Sequence, residues 1–412
     1  MLYLALGFVM TLPLLGVIAM ESGQDSYFVA DAGGPNGASL AYAAHLLAFA
    51  IAFVWVVRSH APAGRTRIPK LAVLGENLDS YSAFCVVVFA ILAALMLFAY
   101  GGVDVLLLKV DKAEFRVSLG AFGAIMSIAT KWLMPAMYAA LLYAIVSAGW
   151  NPWRRLMFTG STVLLAVVGA SWGFKTTILF MLLPALIVGS WVLRIRTVLL
   201  MGSVTLTMLV GFSIYFDQNA DANAALEALT LRLTALQGDL AWYTWGRIST
   251  DHAGPGYLKT FLPIFGDRVL ELMTGARASQ NFADWASYYF GPSMTIWGGF
   301  PAERVANGVT NQPTLFAESL MIGGKYFFLL ASASFGAMFA VIVRWIRAAI
   351  RSGSPQLSAT LATFFSFTVL PWALGNGVAS LVYLINVVGG LVTFAIISPF
   401  FLSESIANKA AK

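Results

Sequence analysis

The stretch NQPTLFAESLMIGGK, Asn311 to Lys325, closes a long polar segment and opens a hydrophobic helix. Pro313 suits the first turn of that helix, where its missing N–H costs nothing. Glu318 then falls inside an apolar run beside a membrane boundary, where a carboxylate is costly and needs a partner or a job. Upstream, residues 216–313 form the one long loop between hydrophobic spans, and they carry Arg232, Asp239, Arg247, Arg268, Arg277 and Arg304. The rest of the chain reads as a scaffold that holds this loop over a bilayer.

Composition agrees. The chain has 412 residues, 59% of them hydrophobic and only 11% charged, with a mean hydropathy of +0.80. Soluble domains carry about 25% charge, so the expected class is an all-α, polytopic membrane protein. Apolar runs predict ten spans, at about 2–20, 39–57, 82–100, 118–149, 157–173, 176–193, 197–215, 314–343, 357–374 and 378–400. This divides the chain into seven helices over 1–215, the loop 216–313, and three helices with a tail over 314–412. The N-terminal run MLYLALGFVMTLPLLGVIAM has no basic leader and is expected to stay as the first span. The run 118–149 is too long for one crossing of ~20 residues. A surface or re-entrant piece at 118–130 is expected before a span that starts at Trp132.

Charge sets the orientation. Arg58, Arg65, Arg67, Lys70, Arg154, Arg155, Arg194, Arg196, Arg344, Arg347 and Arg351 lie in even-numbered gaps, and Lys409 and Lys412 in the tail. These thirteen of the 25 basic residues share one side. That side, with both termini, is expected to be cytoplasmic, which puts the long loop outside. A net charge of +6 spread over short loops does not point to nucleic acid. The single Cys85 sits in an apolar run and has no disulfide partner in the chain.

Within the loop, Leu229, Leu233, Leu236 and Leu240 recur on one helical face, which predicts an amphipathic helix over 221–247. Arg232, Asp239 and Tyr243 fall along its edge, so a helix on the membrane surface or over a cleft would present them together. Residues 248–312 are rich in Gly, Pro and aromatics and read as irregular.

Soluble-enzyme motifs are absent: no Walker sequence, no GxGxxG after a strand, no GxSxG and no HExxH. The three histidines, 45, 60 and 252, lack metal-ligand spacing, and no DxD pair offers to hold a metal-bound nucleotide sugar. What remains is a set of cations, Arg116, Lys131, Lys175, Arg232, Arg247 and Arg304, suited to converge on a lipid diphosphate. Each group also has a plainer reading. Arg232 and Asp239 form a surface ion pair, Lys175 snorkels to the interface, and Glu318 serves as a cap or an arginine partner. Lys131 lies ~20 Å below the start of a straight helix, so it is buried and paired or the helix is broken there. Trp242, Trp245, Trp285, Tyr288, Tyr289 and Trp297 offer stacking faces for sugars or form an interfacial belt. His45 reads as a packed helix residue.

Many short spans, one long late loop and a loop exit of the form N-x-P-x-x-x-x-E followed by G-G resemble bacterial O-antigen and exopolysaccharide repeat-unit polymerases. Here these residues are Asn311, Pro313, Glu318, Gly323 and Gly324. Tyr100 to Arg116 is similar to that family's outer loop after the third span. Lys175 stands where the family has an arginine at a tight turn. The related O-antigen ligases carry a histidine at the loop exit, whereas this chain has Thr310 and Asn311.

The resemblance implies a GT-C-like membrane glycosyltransferase in the bacterial inner membrane, moving a growing glycan from undecaprenyl diphosphate onto the next lipid-linked repeat unit at the periplasmic face. It implies no metal, nucleotide or redox cofactor, and a chain-length regulator as partner. Arg116, Lys175, Arg232, Arg247 and Arg304 would bind diphosphate and stabilise its departing charge. Glu318 or Asp239 would take the acceptor proton, and Trp242, Trp245 and Tyr288 would stack on sugars. A flippase for lipid-linked oligosaccharide is the competing class, marked by related halves and mid-membrane ionisable groups. A ligase or a non-catalytic subunit of a secretion complex would share the same architecture.

Overall fold

The structure, a computed structural model, describes residues 2–23, 36–59, 75–110, 115, 119, 122–173, 175–217, 221–249, 257–277, 280–298, 305 and 313–401. Every regular element among them is helical. The principal ones are α1 Leu2–Glu21, α2 Ala38–Arg58, α3 Gly75–Ala94, α4 Met134–Ala148, α5 Pro152–Ser171, α6 Lys175–Val192 and α7 Ile195–Asp217. The loop contributes α8 Ala222–Leu233, α9 Ala235–Ser249, a 3-10 segment Tyr257–Phe265, α10 Asp267–Thr274 and α11 Phe290–Trp297. The chain ends with α12 Leu315–Arg351, α13 Pro355–Phe364 and α14 Leu384–Ile397.

Where they are described, the ten apolar runs fall on helices. Among the described residues, seven stretches are long and apolar enough to cross a bilayer: Ala38–Arg58, Leu78–Ala99, Ile125–Ala148, Ile195–Phe216, Leu315–Arg351, Pro355–Asn376 and Val378–Phe401. Val9–Glu21 and Thr177–Val192 are shorter apolar helices. On α2, the exposed Leu40, Leu47, Ile51 and Trp55 form one face, opposite the buried Tyr42, His45 and Phe49. Such a face is costly in water, at roughly 25 cal/mol per Å², and natural in hydrocarbon. Helix α4 is buried on all sides from Met134 to Ile145 and forms the centre of the bundle.

Helix α12 is not straight. Its backbone breaks at Gly324 (φ 59°, ψ −167°). His45 Nδ1 lies 2.7 Å from Ser332 Oγ and 3.4 Å from Ser319 Oγ. In a straight helix those two serines would stand ~20 Å apart, so the segment Leu315–Gly323 folds back along the segment that follows. The Phe316 and Phe328 rings, 5.9 Å apart, close the hairpin. A Cβ on Gly323 would sit 2.6 Å from the Phe328 nitrogen, and only glycine readily adopts the positive φ at Gly324. The sequence places Glu318 on the way into the membrane from the loop. In the structure the chain is already buried at Pro313 and runs past Glu318 to the turn at Gly324.

The long limb of α12 runs alongside α2 in close contact. A Cβ on Gly336 would lie 2.2 Å from the Phe49 carbonyl oxygen. Glu21, at the end of α1, caps the start of α2, accepting the N–H groups of Gly37, of Ala38 at 3.0 Å and of Ser39 at 3.1 Å.

The expected single amphipathic helix 221–247 is two helices divided at Thr234. The second does not lie on a surface. A Cβ on Gly238 would meet the backbone of Gly16 and Pro13 at 2.6 Å, and residues 237–244 are buried. Helix α9 is therefore wedged against α1, several residues below its end. The leucine period predicted the helix, but not that Gly238 would let it approach another backbone so closely. At 118–149 the described chain is helical from Phe122 to Ala148, and its winding changes to a π segment, Ile128–Leu133, at Lys131.

Candidate functional site

The fold-back of α12 delivers a carboxylate to the interior. Glu318 is fully buried. Its Oε1 accepts the Tyr257 hydroxyl at 2.7 Å and the Val378 N–H at 2.6 Å, and its Oε2 accepts the Trp372 indole N–H at 2.8 Å. Three neutral donors thus hold it, with no basic partner among the described residues. They come from the loop, from the broken end of α13 and from the stretch of chain leading to α14.

That second break is as specific as the first. After α13 the chain passes through π turns Phe365–Val369 and Trp372–Asn376 and a 3-10 turn Val378–Val382. Gly375 (φ 106°) lies against Pro313, and a Cβ there would be 1.3 Å from the Pro313 carbonyl oxygen. This contact sets Trp372 and Val378 on either side of Glu318. The Trp372 ring is fixed in turn, 4.6 Å from Phe339 and 5.1 Å from Phe335.

Above Glu318 lies a half-buried group of aromatics and a second carboxylate. Tyr289 donates its hydroxyl to Asp267, and its ring lies 4.5 Å from Trp285 and 6.1 Å from Tyr383. Tyr257 packs edge-on to Phe290 at 5.6 Å. Burial, and then the Glu318 carboxylate, push the Tyr257 phenol far up, and burial with Asp267 does the same to Tyr289. Both phenols keep their protons at neutral pH and donate to these carboxylates. Partly exposed ring faces beside hydroxyls and carboxylates suit a polar, flat-faced ligand such as a sugar.

Among the described residues, the others singled out from sequence make contacts of their own. Arg247 donates from Nε to the Tyr243 hydroxyl at 2.5 Å, and Tyr243 donates to the Trp297 carbonyl at 3.1 Å. Asp239 is fully buried on α9. Trp242 is buried against Val17, Met20 and Tyr42. Trp245 stacks on Phe316 at 6.3 Å and donates to the Asn36 carbonyl at 3.1 Å. Trp242 is buried and Trp245 half-buried. Tyr288 is half-buried in the turn before α11. Lys175 starts α6 and Arg232 lies on α8, with side chains outside the described set, and Arg116 and Arg304 lie outside the described residues altogether. Arg268 and Arg277 both pair with Glu271, at 3.7 and 2.5 Å.

Sequence reasoning found Glu318 but not its setting. Tyr257, Asp267, Trp372 and Tyr383 were missed, since none stands in a motif and they converge from four separate segments. The one available signal was the Gly375-Asn376-Gly377 run, which breaks an apolar span where no cap is needed.

Fold and site together define an all-helical, multi-pass membrane protein with a buried carboxylate at the loop-side end. No family model, curated protein or solved structure matches the chain.

Proposed function

We propose that this protein is a membrane glycosyltransferase that polymerises undecaprenyl-diphosphate-linked repeat units into O-antigen or exopolysaccharide at the periplasmic face of a bacterial inner membrane. The observation that carries the reading is the Glu318–Tyr257 pair beneath the half-exposed Trp285, Tyr289 and Tyr383. Sugar faces stack on such rings. An acceptor hydroxyl passes its proton to the Tyr257 oxygen as Tyr257 passes its own to Glu318, a relay that needs no open position on the crowded carboxylate. Three of about four acceptor positions on Glu318 are already taken, so direct contact with substrate is the less favoured route. Asp239, buried on a different helix, is the alternative base.

Arg116, Lys175, Arg232, Arg247 and Arg304 neutralise the departing lipid diphosphate in this reading. It includes ten spans, a GT-C-like arrangement and both termini in the cytoplasm. A chain-length regulator is the expected protein partner.

The broken helix at residues 365–382 favours a second reading. Discontinuous spans that expose backbone near a carboxylate also build transport sites, so a flippase for the same lipid-linked glycan is the competing function. Reconstitution separates the two. Purified protein in liposomes, given lipid-linked repeat units from its host and EDTA, is expected to yield a ladder of polymer. Movement of the lipid-linked unit across the bilayer with no ladder would overturn the proposal.

A further inference from the structure

One part of the long loop is apolar on the outside. Tyr257–Phe265 winds as a 3-10 segment, the chain turns at Gly266, and α10 Asp267–Thr274 follows. Thr260, Pro263 and Leu270 are buried against the rest of the protein. Leu258, Phe265, Val269, Leu272 and Met273 are exposed instead, Leu272 to 86%. On α10 the exposed Val269, Leu272 and Met273 stand at i, i+3 and i+4, which is one helical face. Two exposed basic residues border these side chains: Lys259 follows Leu258, and Arg268 precedes Val269.

The segment is tied to the first residues of two membrane-length stretches. Tyr257 donates to Glu318, in the first turn of Leu315–Arg351. Asp267 accepts the hydroxyl of Tyr289, whose ring lies 6.1 Å from Tyr383. Between these ties, Tyr257–Phe265 packs against Val378–Val382, which opens the stretch Val378–Phe401. Val382 and Leu384 are themselves exposed there, to 50% and 52%. The apolar face of the loop segment therefore lies beside the start of an apolar, outward-facing span. Such a face is costly in water and marks an interaction surface. Its place at the start of a span, with basic residues on its border, matches a segment seated in the headgroup boundary of a bilayer. There the apolar side chains enter the acyl region and the long basic ones reach back to the headgroups. The leucine-rich stretch 221–247, expected in this role, instead has its second helix wedged against α1.

We propose that residues 257–274 form an interfacial strap, lying in the bilayer boundary on the loop side with Leu258, Phe265, Leu272 and Met273 immersed in its apolar edge. The strap carries Tyr257 to Glu318 and Asp267 to Tyr289, so the bilayer helps to hold the groups around Glu318 in place. Immersion is expected whether or not the protein polymerises glycans, and the test reads depth alone. In a Cys85→Ala background, Leu272→Cys would carry an environment-sensitive fluorophore, in liposomes of phosphatidylethanolamine and phosphatidylglycerol. Asn281→Cys, beside the exposed Gln280 and Asp284, serves as the water-facing control. The label at 272 is expected to be quenched by phospholipids spin-labelled near the headgroup and shielded several-fold from aqueous iodide. The label at 281 should show the reverse. Iodide quenching at 272 equal to that at 281, without lipid quenching, would overturn the proposal. So would a label at 272 shielded from iodide yet untouched by the lipid quencher, which would assign the cover to protein, such as a second copy of the chain. A Leu258→Ser, Phe265→Ser, Met273→Ser variant keeps the ties through Tyr257 and Asp267, and should open the label at 272 to iodide several-fold. Unchanged shielding in that variant would also overturn the proposal, and the first two labels decide alone if it does not fold.

Discussion

Glu318 carries the account at the scale of single residues. A glutamine in its place keeps the volume but turns one oxygen into an N–H₂ group, which must face a donor: Trp372 on one side, or Tyr257 and Val378 on the other. Leaving a buried donor unsatisfied costs about 1–3 kcal/mol. Glu318→Gln is therefore expected to melt at a lower temperature and to lose polymerisation by roughly 10²–10⁴, the range of a general base. Tyr257→Phe and Trp372→Phe together separate the two effects. Tyr257→Phe keeps the ring packing but cuts the proposed relay and removes one of the three donors to the carboxylate, so it should lose polymerisation by about 10²-fold and also lower the melt. Trp372→Phe removes another of those donors but leaves the relay, and should lower the melt at least as much while keeping most activity. Normal polymer from Tyr257→Phe would remove the relay. The cations form a separate test. Arg232→Ala and Arg304→Ala should each cost about 10²–10³ in rate at unchanged expression, read as polymer yield per unit of protein, with lysine restoring only part.

Elements show where the sequence spoke clearly and where it did not. Where they are described, the apolar runs are helical, and seven helices among the described residues are long and apolar enough to cross a bilayer, because long hydrophobic stretches have few other ways to satisfy their backbone in a membrane. The two breaks at Gly324 and Gly375 were invisible to a window of hydropathy, since glycine does not interrupt an apolar run. The first rests on the positive φ of Gly324 and the close approach of Gly323 to Phe328, and the second on a distant partner, Pro313. The same holds for α9, whose period was legible and whose burial at Gly238 was not. This gives a sharp contrast between glycines. Gly375→Ala would drive a methyl into the Pro313 carbonyl, 1.3 Å away, and is expected to abolish activity and greatly reduce the yield of folded protein. Gly7→Ala, in α1 with nothing within 4 Å, should be neutral or slightly stabilising. Expression and melting of the two variants side by side provide the check.

Taken whole, the molecule is a helical bundle whose long loop is anchored inside it, through α9 against α1 and through Tyr257 onto Glu318. A loop held this way forms a fixed roof, which suits a reaction at one membrane face better than alternating access to two. The basic residues of the short gaps predict which face that is. In a Cys85→Ala background, a cysteine at Ser354 should react with a membrane-impermeant reagent only after the cells are opened, and labelling in intact cells would invert the topology. The most direct test of the central claim is the lipid-linked glycan pool of a deletion strain. The account predicts single repeat units on undecaprenyl diphosphate accumulating at the periplasmic face, with no polymer. Accumulation of those units at the cytoplasmic face would contradict it.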